Sequence, residues 1–317
     1  MRQSALTAAL LALSFPAFAQ VSPSTVYGND DRLDLYQVKD AKVLSLADST
    51  VALFQASKVA VEGPTAKLAT SHYGEGMGLC KEEPFWGQHN GAFCSGSLIA
   101  PDIIMTAGHC VTSDDGCAGT KFVFGFALKN EGDIPDSVPA DEVYGCAKLL
   151  GRQQEAAGAD WALIRLDRPV SQHKPLKLGS GGVSNGDAVF VIGHPAGLPT
   201  KIAGGASVRN AEPAGYFQAN TDTFGGNSGS AVFNAQTGLV EGVLVRGEQD
   251  YEQKGDCRVS KACPNDGCRG EDVTKIASVI PNIPPAASAG ERAAPVGSLP
   301  AIIAAFSAAD AKFDSAR

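Results

Sequence analysis

The hydrophobic residues between about positions 95 and 248 occur in short bursts that are separated by Gly, Asn, Asp and Pro. Each burst has the length of a strand and is rich in Val, Ile and Phe, which favour extended backbone. In KFVFGFAL, the side chains of Phe122, Phe124 and Phe126 alternate and so share one face of a strand. No long helical period interrupts the bursts, and the pattern predicts an all-β protein, either a sandwich or a barrel. The other bursts are SGSLIA, DIIMTA, WALIRL, AVFVIG, YFQANT, SAVFN and LVEGVLVRG.

The regions on either side of these bursts have a different character. Residues 20–79 begin with a polar stretch and continue as KVLSLADSTVALFQASKVAV, which fits either first-barrel strands or a removable pro-region. Residues 80–283 form the predicted main domain. Residues 284–317 begin as an Ala/Pro-rich linker. The spacing of the apolar residues near the end predicts a short C-terminal helix packed on the domain: Leu299, Ile302, Ile303, Phe306 and Phe313.

The first 19 residues have the pattern of a secretory signal. Arg2 precedes an apolar run and the sequence Ala-Phe-Ala, which predicts cleavage after Ala19. An uncleaved membrane anchor is the alternative, but the run is shorter than the roughly 20 residues that cross a bilayer. We therefore expect a secreted or periplasmic protein that has no membrane attachment after signal cleavage.

The bulk composition excludes some kinds of partner. The chain of 317 residues is 44% hydrophobic and 19% charged, which is typical of a globular protein. Its formal net charge of -8 gives no positive field that would attract nucleic acid or anionic lipid. We expect no nucleic-acid partner and, for an exported protein with disulfides, a monomer.

All eight cysteines lie beyond the signal, and an even number in an oxidising compartment predicts four disulfides. A zinc site is the alternative for the last three, Cys257, Cys263 and Cys268. They have no neighbouring histidine and no C-x-x-C pair, so zinc is disfavoured. We predict no catalytic metal and no other cofactor. A structural calcium ion at the Asn-Asp-Asp stretch of residues 29–31 stays an open alternative.

Three segments contain the groups that acyl transfer requires. Ser228 lies between glycines in FGGNSGSAVF, His109 follows a strand-like run in SLIAPDIIMTAGHC, and Asp160 opens DWALIRL. A serine nucleophile needs a base to take its proton and a third group to hold that base in the correct tautomer. Each segment alone is common in turns, whereas all three together indicate nucleophilic catalysis.

The blocks TAGHC (106–110), DWAL (160–163) and GNSGS (226–230) resemble those of the chymotrypsin-like (trypsin-like) serine peptidases, over roughly residues 90–250. The resemblance implies two six-stranded antiparallel β-barrels with the active site between them. It implies Ser228 as nucleophile, His109 as general base and Asp160 as the residue that orients the histidine. The expected substrate is a protein or peptide.

The same resemblance implies further roles. The backbone N–H groups of Gly226 and Ser228 would form the oxyanion hole, and Cys94 would be bonded to Cys110. The expected protein is a secreted serine endopeptidase. A non-catalytic secreted binding protein that keeps the fold is the alternative from another functional class.

Two departures from animal trypsins point to the bacterial branch that includes glutamyl endopeptidases. Asn227 replaces the aspartate that pairs with a new N-terminus after zymogen cleavage, and no I-V-G-G activation site is present. We therefore expect no activation through that ion pair. Ser230 and the sequence VYGNDDR at residues 26–32 also resemble the bacterial branch.

The resemblance places three residues at the substrate pocket. Asp222, six residues before Ser228, would form the base of the pocket and favour Lys or Arg at P1 through a charge-assisted pair. Leu244 replaces the histidine of glutamyl endopeptidases, which argues against an acidic P1 residue. Arg246 stands where an aromatic wall is usual. Neutralising Asp222 or attracting an acidic P1 residue is one alternative for it, and a solvated side chain is the one we expect. Acidic or small P1 residues remain the alternative. The other histidines are expected in a loop at the cleft edge (His194) or on the surface (His72, His89 and His173).

Overall fold

The computed structural model describes residues 25–284. The signal sequence and the helix predicted beyond residue 299 lie outside the described residues. Within residues 25–284, no helix is both long enough and apolar enough to span a membrane.

Strands dominate the described part of the chain. The strands of its first half are β1 Val26–Tyr27, β2 Arg32–Asp34, β3 Thr50–Gln55, β4 Val59–Glu62, β5 Thr65–Leu68, β6 Ser71–His72, β7 His89–Asn90, β8 Cys94–Ala100, β9 Ile103–Thr106, β10 Thr120–Val123, β11 Ser137–Pro139, β12 Val143–Gln154 and β13 Asp160–Leu166. Those of its second half are β14 Ala188–Gly193, β15 Lys201–Asn210, β16 Tyr216–Ala219, β17 Ala231–Asn234, β18 Val240–Arg246, β19 Tyr251–Lys254, β20 Cys257–Ser260, β21 Ala262–Cys263 and β22 Glu271–Lys275.

The helices are short. The α-helices are α1 Ala41–Ala47, α2 Tyr73–Gly76, α3 Asp114–Ala118 and α4 Ile276–Val279. Single 3-10 turns occur at Leu35–Gln37, Ala56–Lys58, Ala140–Glu142, Pro195–Gly197 and Ile280–Asn282.

The first barrel closes in the order β10-β12-β13-β9-β8-β3. Alternation places one side of each strand inside: Phe122 and Phe124 are fully buried and pack with Leu53, Ile104 and Ile164. Burial of such aromatic and branched side chains is the main force that stabilises the barrel. The first six-stranded barrel is therefore confirmed.

The second barrel consists of β14, β17, β18, β22, β16 and β15, and it closes because β14 also pairs with β15. The short strand β2 adds a seventh strand along β15, with Leu33 opposite Ile202. A shared apolar cluster joins the two barrels, with Met105 and Trp161 from the first packed in one core with Phe190 and Val243 from the second. The predicted pair of six-stranded antiparallel barrels is confirmed, with the short helix α4 following the last strand.

Residues 25–79 contribute to both barrels. β3 completes the first barrel, whereas β2 extends the sheet of the second. β1 runs parallel to β21, with Val26 opposite Ala262. This early part of the chain thus forms part of the folded structure at both barrels.

Four disulfides connect all eight cysteines, as predicted. The Cys94–Cys110 pair implied by the family resemblance is confirmed, and it ties β8 to the turn that carries His109. The other pairs are Cys80–Cys257, Cys117–Cys146 and Cys263–Cys268. Cross-links of this kind stabilise a fold mainly by restricting the unfolded chain.

Candidate active site

His109 and Asp160 meet at the end of the first barrel. β13 pairs antiparallel with β9, with Ala162 opposite Thr106, so the start of β13 lies beside the turn that follows β9. His109 Nδ1 lies 2.8 Å from Asp160 Oδ2. Asp160 Oδ1 accepts hydrogen bonds from the backbone N–H groups of Gly108 (2.6 Å) and His109 (3.1 Å). The carboxylate therefore fixes both the ring and the backbone of the histidine.

Gly108 is required at this turn because the backbone approaches so closely. A Cβ atom at position 108 would lie 2.1 Å from the carbonyl oxygen of Gln153 and 2.8 Å from that of Trp161. Any side chain would push the turn away from β12 and β13 and would break the Gly108–Asp160 hydrogen bond.

The second barrel supports Asp160 from behind. Asp160 is buried, and its backbone N–H donates to Thr274 Oγ1 on β22, which donates in turn to the Asp160 carbonyl oxygen, both at 2.9 Å. Arg246 Nη1 lies 3.9 Å from Asp160 Oδ2. The orientation of the His–Asp pair thus depends on contacts between the barrels.

Ser228 lies on the loop between β16 and β17, directly against the first barrel. Its carbonyl oxygen accepts a hydrogen bond from the Ser95 N–H at 2.8 Å and lies 3.6 Å from Cys110 Sγ, next to His109. Gly229 has a φ of +92°, and a Cβ atom there would lie 2.0 Å from the Ser95 carbonyl oxygen. The glycine after Ser228 therefore allows the loop to approach the histidine turn.

The Ser228 hydroxyl is half-buried, and within residues 25–284 it has no hydrogen-bond partner, His109 included. Among the residues that the structure describes, its proton is therefore not committed to an acceptor. Hydrogen bonds between a nucleophile and its base often tighten only when substrate binds.

The loop before Ser228 presents two backbone donors. Among the described residues, neither the Gly226 nor the Ser228 N–H group donates to another protein group. The loop is shaped by Asn227, whose N–H donates to the Phe224 carbonyl oxygen at 2.9 Å and whose side-chain oxygen accepts from Ser230 Oγ at 3.2 Å. Asn227 is thus bonded within its own loop. Two free N–H groups at one turn suit the charge of a tetrahedral intermediate.

Asp222 occupies a different environment from the one expected. Its two carboxylate oxygens accept hydrogen bonds from the backbone N–H groups of Tyr27 (2.7 Å) and Asp31 (2.8 Å). The residue is only 2% exposed, and this burial, with Asp30 nearby, raises the pKa of its carboxyl well above the usual range. Asp222 therefore anchors an early chain segment and does not offer a free carboxylate to a basic P1 side chain, which corrects the sequence-based prediction.

Leu244 and Arg246 also differ from expectation. Leu244 is buried and packs in the core of the second barrel with Phe217 and Val273, so it is not a substrate contact. Arg246 is not solvated, because its side chain is 14% exposed. Its Nε lies 3.2 Å from Asp272 Oδ2, and its other nitrogens donate to two backbone carbonyl oxygens in the loop before Asp160, those of Glu155 and Gly158. Arg246 therefore connects Asp272 with the loop before Asp160, close to the His109–Asp160 pair.

The histidines outside the site also correct the sequence interpretation. His194 is 1% exposed, and burial lowers its pKa to about 4. His173 is largely covered, stacks on Phe124 and lies 2.7 Å from Glu142. His194 therefore belongs to the interior and not to the cleft edge.

Sequence reasoning missed three residues that shape the site, namely Tyr27, Glu271 and Thr274. Glu271 is fully buried and accepts from the hydroxyls of Tyr27 and Thr223, both at 3.0 Å. The hydrogen-bond partners of these three residues lie far away from them in sequence. The only local signal was a charged residue next to a strand-like run, and this is too common to indicate a site.

Comparison with known proteins agrees with this geometry. Residues 94–243 match the family model described as "Trypsin-like peptidase domain". This stretch of the chain is therefore similar to trypsin-like peptidase domains. The matched range contains His109, Asp160 and Ser228 and ends inside β18, so the family model leaves out residues 25–93 and everything beyond residue 243.

The chain is also similar to individual serine peptidases over part of their length. It is 33% identical over 87 residues to chymotrypsin-like elastase family member 3A of Homo sapiens, a match that covers 27% of this chain and 32% of the relative. It is 35% identical over 118 residues to the snake venom serine protease KN11 of Trimeresurus stejnegeri, covering 36% of this chain and 43% of the relative. The chain thus spans less than half the length of these relatives.

Solved structures show a more distant likeness. A Glu endopeptidase structure aligns with a TM-score of 0.47 at 18% identity, covering 80% of this chain and 96% of that one. The inactive form of a mutant of Rv3671c from M. tuberculosis H37Rv aligns with a TM-score of 0.44 at 14% identity, covering 85% of this chain and 100% of that one.

Proposed function

We propose that the protein is a serine endopeptidase that cleaves polypeptides through an acyl-enzyme intermediate on Ser228. One observation carries the proposal: the His109 ring is held at 2.8 Å by a buried carboxylate, on the turn against which the Ser228 backbone packs. A histidine held by a buried aspartate, next to an unengaged serine hydroxyl, is the arrangement that serine acyl transfer requires.

In the proposed mechanism, His109 Nε2 takes the Ser228 proton as Oγ attacks the scissile carbonyl carbon. The ring can do this because its Nδ1–H donates to Asp160, which leaves Nε2 as the basic nitrogen. The oxyanion accepts hydrogen bonds from the Gly226 and Ser228 N–H groups. His109 then passes the proton to the leaving amine, and water hydrolyses the ester by the reverse sequence of proton transfers.

The P1 preference is a separate proposal. Both oxygens of Asp222 are occupied by backbone N–H groups, so we propose that P1 selection does not depend on an ion pair with this residue. Short chromogenic peptides ending in Lys, Arg, Glu and Ala test this directly. A preference for Lys and Arg that disappears selectively in an Asp222→Asn variant would contradict it.

The proposed site of action is outside the cytoplasm, in the periplasm or the medium, and the proposed state is a monomer. Four disulfides support an oxidising compartment. Fractionation of producing cells and light scattering of the purified protein test the two statements.

Labelling with a fluorophosphonate probe tests the central proposal. We expect a covalent adduct on Ser228 in the folded protein, located by peptide mass spectrometry, and hydrolysis of fluorescent casein. Ser228→Ala should abolish both. Ser113→Ala, which removes only the N-cap of α3, should leave both intact. A folded protein without adduct and without casein hydrolysis would favour the non-catalytic binding protein.

A further inference from the structure

Residues 25–34, here called segment 25–34, lie against the loop of residues 220–226 that leads to the active site. Tyr27 and Asp31 donate their backbone N–H groups to the two oxygens of Asp222, across 195 and 191 positions in sequence. Gly28, between them, has a φ of +76° and allows the chain to turn around the carboxylate. Both oxygens of this buried carboxyl group have a backbone donor, and breaking either contact would leave a buried polar group without a partner, so the two hydrogen bonds fix the start of the loop.

A second contact reaches the next residue of the loop. Tyr27 donates its hydroxyl to one oxygen of Glu271, and Thr223 donates its hydroxyl to the other, both at 3.0 Å. Glu271 is fully buried on β22. Burial, together with the neighbouring Glu271, raises the pKa of Tyr27, so the phenol stays a donor. Tyr27 is thereby coupled to Thr223 through a single carboxylate.

A third contact holds Phe224. The Arg32 guanidinium lies over the Phe224 ring with its central carbon 4.1 Å from the ring centroid. Asp30 fixes the guanidinium through Nε at 2.7 Å and Nη2 at 2.6 Å. Cation–π contacts are strongest when they are shielded from water, and both Arg32 and Phe224 are buried here. The Phe224 carbonyl oxygen in turn accepts a hydrogen bond from the N–H group of Asn227, which directly precedes Ser228.

Segment 25–34 is itself held by strand pairing near both of its ends, and β2 attaches it to the second barrel. β2 pairs with β15, and Lys201 on β15 donates to Asp34 at 2.5 Å and to Gln88 at 2.8 Å. β1 pairs with β21, and Thr25 donates its hydroxyl to the Lys261 carbonyl oxygen. The segment can therefore act as a fixed support for the loop.

We propose that segment 25–34 positions the 220–226 loop and, through this loop, the Gly226 N–H group. The segment thereby takes the place of the ion pair that a new N-terminus forms in animal trypsins. Three consecutive loop residues, Asp222, Thr223 and Phe224, are each held through this segment. Asn227 supplies no carboxylate for a terminal amine. This inference rests on the proposed function for the role of Gly226. It also means that segment 25–34 stays in the active enzyme and is not a removed pro-region.

Two conservative variants test the proposal in the full chain. Tyr27→Phe removes only the hydroxyl that reaches Glu271, and Asp222→Asn replaces one acceptor oxygen with a donor that faces a backbone N–H. Glu142→Gln is the matched control, because it replaces a half-buried carboxylate that contacts His173 at the first barrel. If Asp222→Asn fails to fold, Tyr27→Phe decides alone.

Hydrogen exchange of the loop, followed by mass spectrometry, reports positioning directly. We expect faster exchange in residues 220–226 in both variants and no change there in Glu142→Gln, even if all three lose similar melting temperature. The fluorophosphonate labelling rate of Ser228 should fall about 10-fold in Asp222→Asn and less in Tyr27→Phe, since loss of an oxyanion donor outright costs about 100-fold or more.

The outcomes separate the two proposals. Unchanged loop exchange in both variants would overturn the positioning role, whatever the labelling shows. Absence of labelling in the wild-type protein would count against the peptidase instead, while the exchange result still decides the positioning. An intact mass of the labelled enzyme that excludes residues 25–34 would also overturn the inference.

Discussion

Arg246 Nη1 lies 3.9 Å from Asp160 Oδ2, while Arg246 Nε lies 3.2 Å from Asp272. One guanidinium therefore spans two buried carboxylates, and the first of them orients His109. Its remaining N–H groups donate to the Glu155 and Gly158 carbonyl oxygens. The planar fork of arginine suits this bridging, which a lysine ammonium could not reproduce.

Replacing Arg246 by Met should therefore destabilise the protein. Asp272 would keep Arg269 at 2.7 Å but lose its more buried partner, and we expect a loss of about 2 kcal/mol in the free energy of unfolding. Urea denaturation measures it. In the double variant with Asp272→Asn the loss should be smaller than the sum of the single losses, as expected for residues in contact. Strict additivity would mean that the pair contributes nothing.

Asp160→Asn should remove most of the activity while the fold survives. Oδ1 can still accept the Gly108 and His109 N–H groups, but the amide NH2 then faces His109 Nδ1. The ring would have to present the wrong tautomer to Ser228, and we expect the casein hydrolysis rate to fall about a thousandfold or more. Asp167→Asn is the control, since that carboxylate also accepts a backbone N–H, from Gly145, but lies outside the site. Equal loss in both variants would argue against a specific role for Asp160.

The catalytic blocks were accessible from sequence because each is local. TAGHC, DWAL and GNSGS each combine a strand end with a turn, and alternating residues such as Phe122 and Phe124 revealed the barrel strands. The second barrel closes by pairing of β14 with β15. Once six such strands are recognised, no further sequence motif is needed to predict this closure.

The surroundings of the site could not be read in this way. Asp222 is bonded to residues about 190 positions earlier, and the three-residue strand β2 has no alternating pattern. Arg246 is polar, which normally indicates solvent, and only its distant carboxylate Asp272 explains its burial. Such roles depend on contacts between residues that are far apart in sequence, and the periodicity and spacing of residues do not reveal these contacts.

A substrate panel separates a positioning role of Asp222 from a direct role in specificity. If the carboxylate only holds segment 25–34, Asp222→Asn should lower kcat for peptides ending in Lys, Arg, Glu and Ala by the same factor, with little change in KM. A displaced oxyanion donor slows the chemical step for every substrate by the same factor, whatever its P1 residue. A KM increase confined to Lys and Arg substrates would instead restore Asp222 to the P1 pocket.

Glu241 on β18 should make stability depend on pH near neutrality. It is 6% exposed, Oε2 has no hydrogen-bond partner among the described residues, and burial, with Asp187 nearby, raises the pKa of its carboxyl to about 7. Between pH 4.5 and 7 the unfolded chain therefore loses this proton before the folded protein does. The unfolded state binds fewer protons in that window, so stability falls as pH rises through it and stays reduced above it.

Glu241→Gln removes this titration and is therefore expected to raise the free energy of unfolding by about 1–3 kcal/mol at pH 8, with little change at pH 4.5. Urea denaturation at the two pH values measures the difference. Glu252→Gln, on the exposed side of β19, is the control and should change stability equally little at both. A Glu241→Gln effect that is the same at both pH values would show that the carboxyl ionises alike in the folded and unfolded chain.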